Sequence, residues 1–313
     1  MAIADQPIGR LALRFRPLDL LLARPSRGPV RLARVVLFVV PVVWIASVNI
    51  APLLEMIRIS FLDAYPATAG RPPSFSTAPY SAFFTSPLYR HAFARTMEFA
   101  ALTTLMSLLV VYPLAYYVAR HVPPSRRMRR LLILMAPFWT SEVIRTFAII
   151  ILFGNRGGLN TLLQYLGLTD APIPMLYTNF SLAFGMLYAV LLSMLLPLFV
   201  ALDAIPTSLL EAATDLGAGP WTRFLRVTMP LSRNGIASGC VLVFLLSTGA
   251  FVVPVLLGGA NTTLLAVSIG DFFGSISDKW PYGAAFSMVL LVSSLAIAGL
   301  MMRVIQPSRT DAG

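Results

Sequence analysis

The sequence predicts an all-α integral membrane protein with six transmembrane helices, and three observations carry that expectation. Hydrophobic residues make up 57% of the 313 positions and charged residues only 12%, whereas soluble domains run near half apolar and a quarter charged. The apolar residues gather into six stretches, at about 35–57, 96–118, 131–153, 180–202, 236–257 and 284–302. Each holds roughly 20 residues, the length at which a helix crosses a ~30 Å hydrocarbon core. The basic residues, finally, sit in short clusters between these stretches rather than along a solvated face. The formal charge of +11 therefore reads as membrane topology and not as a nucleic-acid-binding surface.

The elements follow in order. Residues 1–34 form a basic segment, and the stretch after it is longer than the 7–15 apolar residues of a cleavable signal. It reads as a retained helix that also directs insertion. The loop 58–95 is rich in Pro, Ser and aromatic residues and suits the outer surface. Prolines at Pro41, Pro52, Pro113, Pro137, Pro197 and Pro254 fall inside the apolar stretches; spanning helices tolerate them where neighbours, hydroxyls or water satisfy the freed carbonyls. With a cytoplasmic N-terminus, seventeen of the 24 Lys and Arg fall in cytoplasmic segments and six in outer loops, while Arg145 lies within a span. That bias places both termini in the cytoplasm. The domain reading is a basic segment 1–34, a six-helix membrane domain 35–305 and a cytoplasmic tail 306–313.

Cys240 lies in an apolar stretch and has no partner for a disulfide, so it reads as a buried thiol. His91 and His121 are too far apart to suggest a metal site. No G-x-x-x-x-G-K-[ST] phosphate loop occurs, and no loop is long enough to hold a nucleotide-hydrolysing domain.

The loop 203–230, DAIPTSLLEAATDLGAGPWTRFLRVTMP, predicts a helix–turn–helix. Ser208 and Glu211 have the spacing of a capping box. Gly217 stands where a left-handed C-terminal cap is wanted, and Pro220 suits the first turn of a second helix. The first helix is too short to be stable in water alone and presents Leu209, Leu210, Ala212, Ala213 and Leu216. Lipid headgroups or a protein surface would each serve to cover it.

The run EAATDLGAGPWTRFLRVTMP resembles the EAA loop of ABC importer permeases. Glu211, Ala212, Ala213 and Gly217 match its first part, and Val227, Thr228, Met229 and Pro230 its close, with Val for Ile and Met for Leu. The stretch 137–168 and the run 251–259 resemble the spermidine/putrescine-type group. The resemblance implies a type I importer transmembrane fold in the bacterial inner membrane, with this loop as the coupling helix. Glu211 and Asp215 would then make polar contacts to a separate ATPase, and Gly217 would set the turn. It also implies a second, paralogous permease chain, two ATPase subunits and a periplasmic substrate-binding protein. No cofactor would sit in this chain, since ATP and Mg would be bound by the ATPase. Relatives of this group also carry opines, thiamine, iron and phosphonates.

Glu142 and Arg145 lie midway along the predicted third span, where a charge is costly and normally faces the bundle interior or a wet cavity. Their spacing puts them on one helix face. Two readings fit: a structural ion pair, or a translocation path in which Glu142 suits a cationic solute. Trp139, Tyr188 and Phe251 could offer ring faces to an ammonium, or simply pack. A self-sufficient secondary transporter or channel is the competing class, and it would show ionisable relays in several spans or repeated broken helices. A membrane enzyme would need converging His, Asp, Glu or Cys, which the sequence lacks.

Overall fold

The computed structural model describes residues 29–66, 73–259, 263–274 and 279–305. The predicted basic segment up to residue 28 and the tail 306–313 lie outside the described residues. The chain divides into two units at Met56 and Ile57. The described part of the first belongs to helix α1 (Pro29–Ile59), apolar on every face with a mean hydropathy of 2.2 over 36–59. A helix apolar all round has no stable place in water and belongs in lipid.

The second unit is helical almost throughout. After α1 come α2 (Ala78–Thr85), α3 (Pro87–Arg120) and α4 (Pro124–Met135). A 3₁₀ turn (Ala136–Trp139) leads to α5 (Glu142–Phe153), then α6 (Gly158–Tyr165) and α7 (Asn179–Val190). A second 3₁₀ turn (Leu191–Met194) joins α7 to α8 (Leu195–Asp203), and α9 (Thr207–Asp215) and α10 (Pro220–Arg223) follow. A π-helical turn (Phe224–Thr228) and the short α11 (Met229–Leu231) precede α12 (Arg233–Thr248). The last elements are α13 (Val252–Leu257), α14 (Leu265–Gly274) and α15 (Trp280–Ile305). Among the described residues, five helices are long and apolar enough to cross a membrane, or six if the pair 220–231 and 233–248, bent by 65°, makes one span.

The boundaries differ from expectation in a consistent way. α3 begins at Pro87 rather than near 96, so the outer loop is shorter and carries the unpredicted α2. Three of the predicted spans are interrupted, each beside a proline. Pro137 lies in the 3₁₀ turn that splits 131–153. Pro197 follows the 3₁₀ turn inside 180–202. Pro254 stands in the first turn of α13, past the gap that splits 236–257. A proline lacks the amide its helix needs at i−4 and its ring crowds that carbonyl. The i−4 residues are Ile133, Ser193 and Ala250, each close to its break.

Packing falls into three clusters. Val111, Leu195, Leu198, Leu202 and Val243 join α3, α8 and α12. Phe153, Leu182, Met186 and Leu257 join α5, α7 and α13, and Phe83, Leu265, Phe286 and Leu290 join α2, α14 and α15. Close approach of α8 and α12 depends on Gly235, where a Cβ would stand 2.4 Å from the Ala201 Cβ and 2.7 Å from the Pro197 carbonyl oxygen. In the loop after α1, the Asp63 carboxylate accepts hydrogen bonds from the Ser74 amide (2.8 Å) and hydroxyl (2.9 Å). These contacts hold its carboxyl below the ordinary 3.8.

Candidate functional site: a cavity at three helix breaks and an exposed loop helix

The three proline-associated breaks meet around one cavity of about 380 Å³. Phe138 comes from the first, Ser193 from the second, and Gly249, Ala250, Phe251 and Val252 from the third. α5 contributes Glu142 and Arg145, α7 Met186, Ala189 and Val190, and α12 Leu246 and Ser247. Irregular backbone at membrane depth persists where it is buried in protein or lines a cavity, because elsewhere its polar groups go unsatisfied.

Glu142 therefore does not lie mid-helix. It is the first residue of α5, after Ser141 in an extended conformation. A carboxylate there is stabilised by the positive end of the helix dipole. Arg145 lies one turn on. Among the described residues no ion pair joins it to Glu142, so the paired reading is replaced by a different arrangement. The Arg145 Cζ stands 5.7 Å from the centre of the Phe138 ring and 5.8 Å from that of Tyr188. Its Nη1 approaches the Ala189 carbonyl oxygen at 3.5 Å. A guanidinium between two ring faces gains from both quadrupoles while remaining charged. The Arg145 Nε is buried with no hydrogen-bond partner, and so is the Ser247 Oγ.

Of the five residues expected along a path, Glu142, Arg145 and Phe251 line this cavity. Tyr188 touches it through Arg145. Trp139 is 75% exposed and is not part of the lining. Phe138, Ser193 and Ser247 were missed. The signal that could have found them was the proline beside each break, which marks where backbone leaves the helical ladder.

The second feature is the loop around α9. α9 begins at Thr207 behind Pro206, and no side chain caps it. The Ser208–Glu211 capping box does not form, because the helix starts two residues early, at Thr207 rather than Leu209, and Ser208 falls inside its first turn. The other end matches the local chemistry. Gly217 has φ +78°, its amide donates to the Thr214 carbonyl (2.8 Å), and the Ala218 amide donates to that of Ala213 (3.0 Å). These two bonds make a Schellman cap. Pro220 opens α10 as expected.

Side-chain contacts fix this loop to the bundle. Arg120, at the end of α3, donates to the carbonyls of Leu202 (2.6 Å) and Ile205 (2.8 Å). Arg127 pairs with Asp203 and donates to the Val122 carbonyl (2.9 Å). Arg223 donates to the Thr214 hydroxyl (2.8 Å), tying α10 to α9. Phe224 sets its ring edge-on to Tyr112 and Tyr116, and the Tyr112 hydroxyl lies 2.9 Å from the Ser232 Oγ. Beyond this base Glu211, Ala212, Asp215 and Gly217 are exposed and Ala213 is half-buried. Leu216 is 89% and Trp221 71% exposed.

A many-helix membrane protein with helix breaks around a cavity and a capped helix in an exposed loop is a transporter in architecture. Broken helices alone do not separate the two transporter classes, since the competing class was expected to show them as well. The comparisons with known proteins decide it. Residues 112–311 match the family described as binding-protein-dependent transport system inner membrane component. The spermidine/putrescine transport system permease protein PotB of Haemophilus influenzae is 36% identical over 256 residues, 80% of this chain and 86% of that protein. PotB of Escherichia coli K12 is 35% identical over 261 residues, covering 83% and 92%. The molybdenum transport system permease protein ModB of Azotobacter vinelandii is 31% identical over 212 residues, covering 65% and 91%. In fold, the chain matches a bacterial ABC transporter involved in the import of the acidic polysaccharide alginate, with a TM-score of 0.71 at 17% identity over 90% of this chain and 96% of that one. This chain belongs to the family of binding-protein-dependent transport system inner membrane components. It is a multi-pass inner-membrane permease subunit of an ABC importer, with a transport rather than a catalytic role.

Proposed function

We propose that this permease carries an amine-bearing cationic solute through the cavity at the helix breaks, driven by a separate ATPase that docks on the α9 loop. Polyamines are the type case by likeness to the PotB relatives. Glu142 would supply the counter-charge, at a place where a lone carboxylate is otherwise costly. Glu211 and Asp215 would make the polar contacts of the ATPase groove, Ala212 and Ala213 its close contacts, and Gly217 the turn. A second, paralogous permease, two ATPase subunits holding ATP and Mg, and a periplasmic binding protein would complete the assembly. The charge bias sets both termini, and with them the α9 loop, in the cytoplasm.

The observation that carries the coupling role is the pairing of a rigid base with an exposed apolar tip. α9 is closed at its C-terminal end and tied to α10 through Arg223, in a loop whose first residues are bonded to the bundle by Arg120 and Arg127, yet Leu216 just past α9 is 89% and Trp221 of α10 71% exposed. A short helix held this way transmits force only if a partner covers it. ATP binding would draw two such helices together and shift the balance between inward- and outward-open states. The test is co-purification from cells expressing the chain with its neighbouring-gene products. Wild type brings down an ATPase, while Glu211→Lys loses it and keeps its level in the membrane. Full retention of the ATPase by the variant would sink the coupling reading.

A further inference from the structure

Between α3 and α7 lies a second cavity, which shares no lining residue with the one at the helix breaks. Its volume is about 390 Å³, and its polar lining is His91, Arg95 and Glu98 of α3 with Asn179, the first residue of α7. An apolar groove of about 180 Å³ continues from it, walled by Met106 of α3 and by Phe180, Phe184 and Leu187 of α7. Leu102 and Ala183 line both, so polar cavity and apolar groove are one feature. Helix spacing sets the order along it. His91, Arg95, Glu98, Leu102 and Met106 recur every three or four residues and share one face of α3, polar in its first turns and apolar in the next. Leu102, Met106, Phe180 and Phe184 are all exposed. Arg120, at the far end of α3, bonds the base of the α9 loop. Arg95 precedes it by about 37 Å along the helix, more than the ~30 Å of a hydrocarbon core. The polar cavity therefore sits at headgroup level in the leaflet away from the α9 loop, with the groove at acyl-chain depth.

The head of this feature carries one charge of each sign. The Arg95 guanidinium is oriented by its Nη2, which donates to the Asn179 Oδ1 (2.6 Å), and its Cζ lies 5.8 Å from the centre of the Phe99 ring. Arg95 is half-buried, while Glu98, one turn on, is exposed. Among the described residues no ion pair joins the two. A guanidinium beside the first turn of α7 suits a phosphate, which the helix dipole also favours. An exposed carboxylate suits an ammonium. We infer that this is a binding site for a zwitterionic phospholipid with a primary amine in its headgroup, of the phosphatidylethanolamine type. Its phosphate meets Arg95 and Asn179, its ammonium meets Glu98, and one acyl chain follows the groove past Leu102 and Met106. Two carbons separate phosphate from amine in that headgroup, a reach that matches side chains one helical turn apart, about 5–6 Å between Cβ atoms. A phospholipid with an anionic glycerol headgroup satisfies Arg95 but sets no positive charge on Glu98. A helix of a partner chain laid here would have to desolvate both charges, which costs more than a hydrated headgroup does.

Photo-crosslinking locates such a lipid. Two phospholipids with the same diazirine-bearing acyl chains, one with an ethanolamine and one with a glycerol headgroup, are added at equal low fraction to nanodiscs holding the full-length chain in its assembled importer. The host lipid is phosphatidylcholine, whose quaternary amine donates no hydrogen bond. After illumination, mass spectrometry reads the labelling of residues 102–106 and 180–187 relative to that of α1, which is apolar on every face and reports bulk lipid. The ethanolamine probe is expected to label the groove roughly threefold more than the glycerol probe, as one partly exposed charge pair allows. Glu98→Gln is expected to bring that ratio close to one by lowering the ethanolamine probe alone, and Arg95→Gln to lower both probes. Equal labelling by the two probes, a ratio unmoved by Glu98→Gln, or labelling unmoved by Arg95→Gln overturns the inference and leaves the groove to bulk lipid. Labelling of α1 but of neither groove segment also overturns it, and shows the groove covered by a partner chain. Glu98 is exposed and its variant keeps the fold, so the headgroup test stands even where Arg95→Gln fails to assemble.

Discussion

Gly217 shows how a single backbone angle can be read from sequence chemistry. Its φ of +78° is a conformation L side chains rarely adopt, and nothing would crowd an added Cβ within 4 Å. Any cost of Gly217→Ala is therefore conformational, about 1–2 kcal/mol. By hydrogen exchange, the amides of Gly217 and Ala218 are expected to lose roughly 5- to 30-fold protection on that substitution. Unchanged protection would mean that the left-handed cap does not hold this turn. Glu142 is the opposite case. Composition marked it as a costly intramembrane charge, but hydropathy alone does not put it at a helix start rather than mid-helix. That depended on Pro137 and on the polar pair Thr140 and Ser141, which let the chain run extended before α5.

At the scale of elements, the arginines around the α9 loop divide by what they touch. Arg120 is partly buried and donates to two main-chain carbonyls that end α8 and the turn after it. The Leu202 carbonyl also receives the Ile205 amide at 3.4 Å, a longer bond than that from Arg120. Arg120→Gln should cost about 2 kcal/mol, as loss of a charged donor to buried acceptors does. Arg127→Gln breaks an ion pair whose members are 22% and 38% exposed, and should cost under about 1 kcal/mol. Thermal unfolding of the purified protein in nanodiscs distinguishes them. Equal shifts would show that the main-chain contacts of Arg120 contribute nothing special. Both arginines were counted in the sequence only as topology signals. Their particular partners, Leu202, Ile205 and Asp203, are some 80 residues away along the chain and no local rule reaches them.

For the molecule as a whole, the breaks are the organising feature. A continuous helix would satisfy its own carbonyls and enclose nothing, whereas three interruptions at one place open a space lined by charge and backbone. Pro254→Ala restores an amide able to bond the Ala250 carbonyl, and should draw the end of α12 and the start of α13 toward one helix. A Ser193→Cys reporter, at a half-buried position on the cavity wall, is then expected to react with a small polar thiol reagent severalfold more slowly in the Pro254→Ala background, while Cys240 stays buried and silent. An unchanged rate would mean that this proline does not keep the cavity open. Sequence alone determined the membrane class, the approximate apolar stretches, the left-handed turn at Gly217 and the candidate loop, because each follows from composition, spacing or one residue's own conformational limits. Tertiary structure decided where the helices break, which predicted residues share the cavity, and that Arg145 faces two rings rather than Glu142. Those outcomes depend on packing between segments far apart in the chain, where hydrophobic burial and hydrogen-bond satisfaction are settled jointly and not residue by residue.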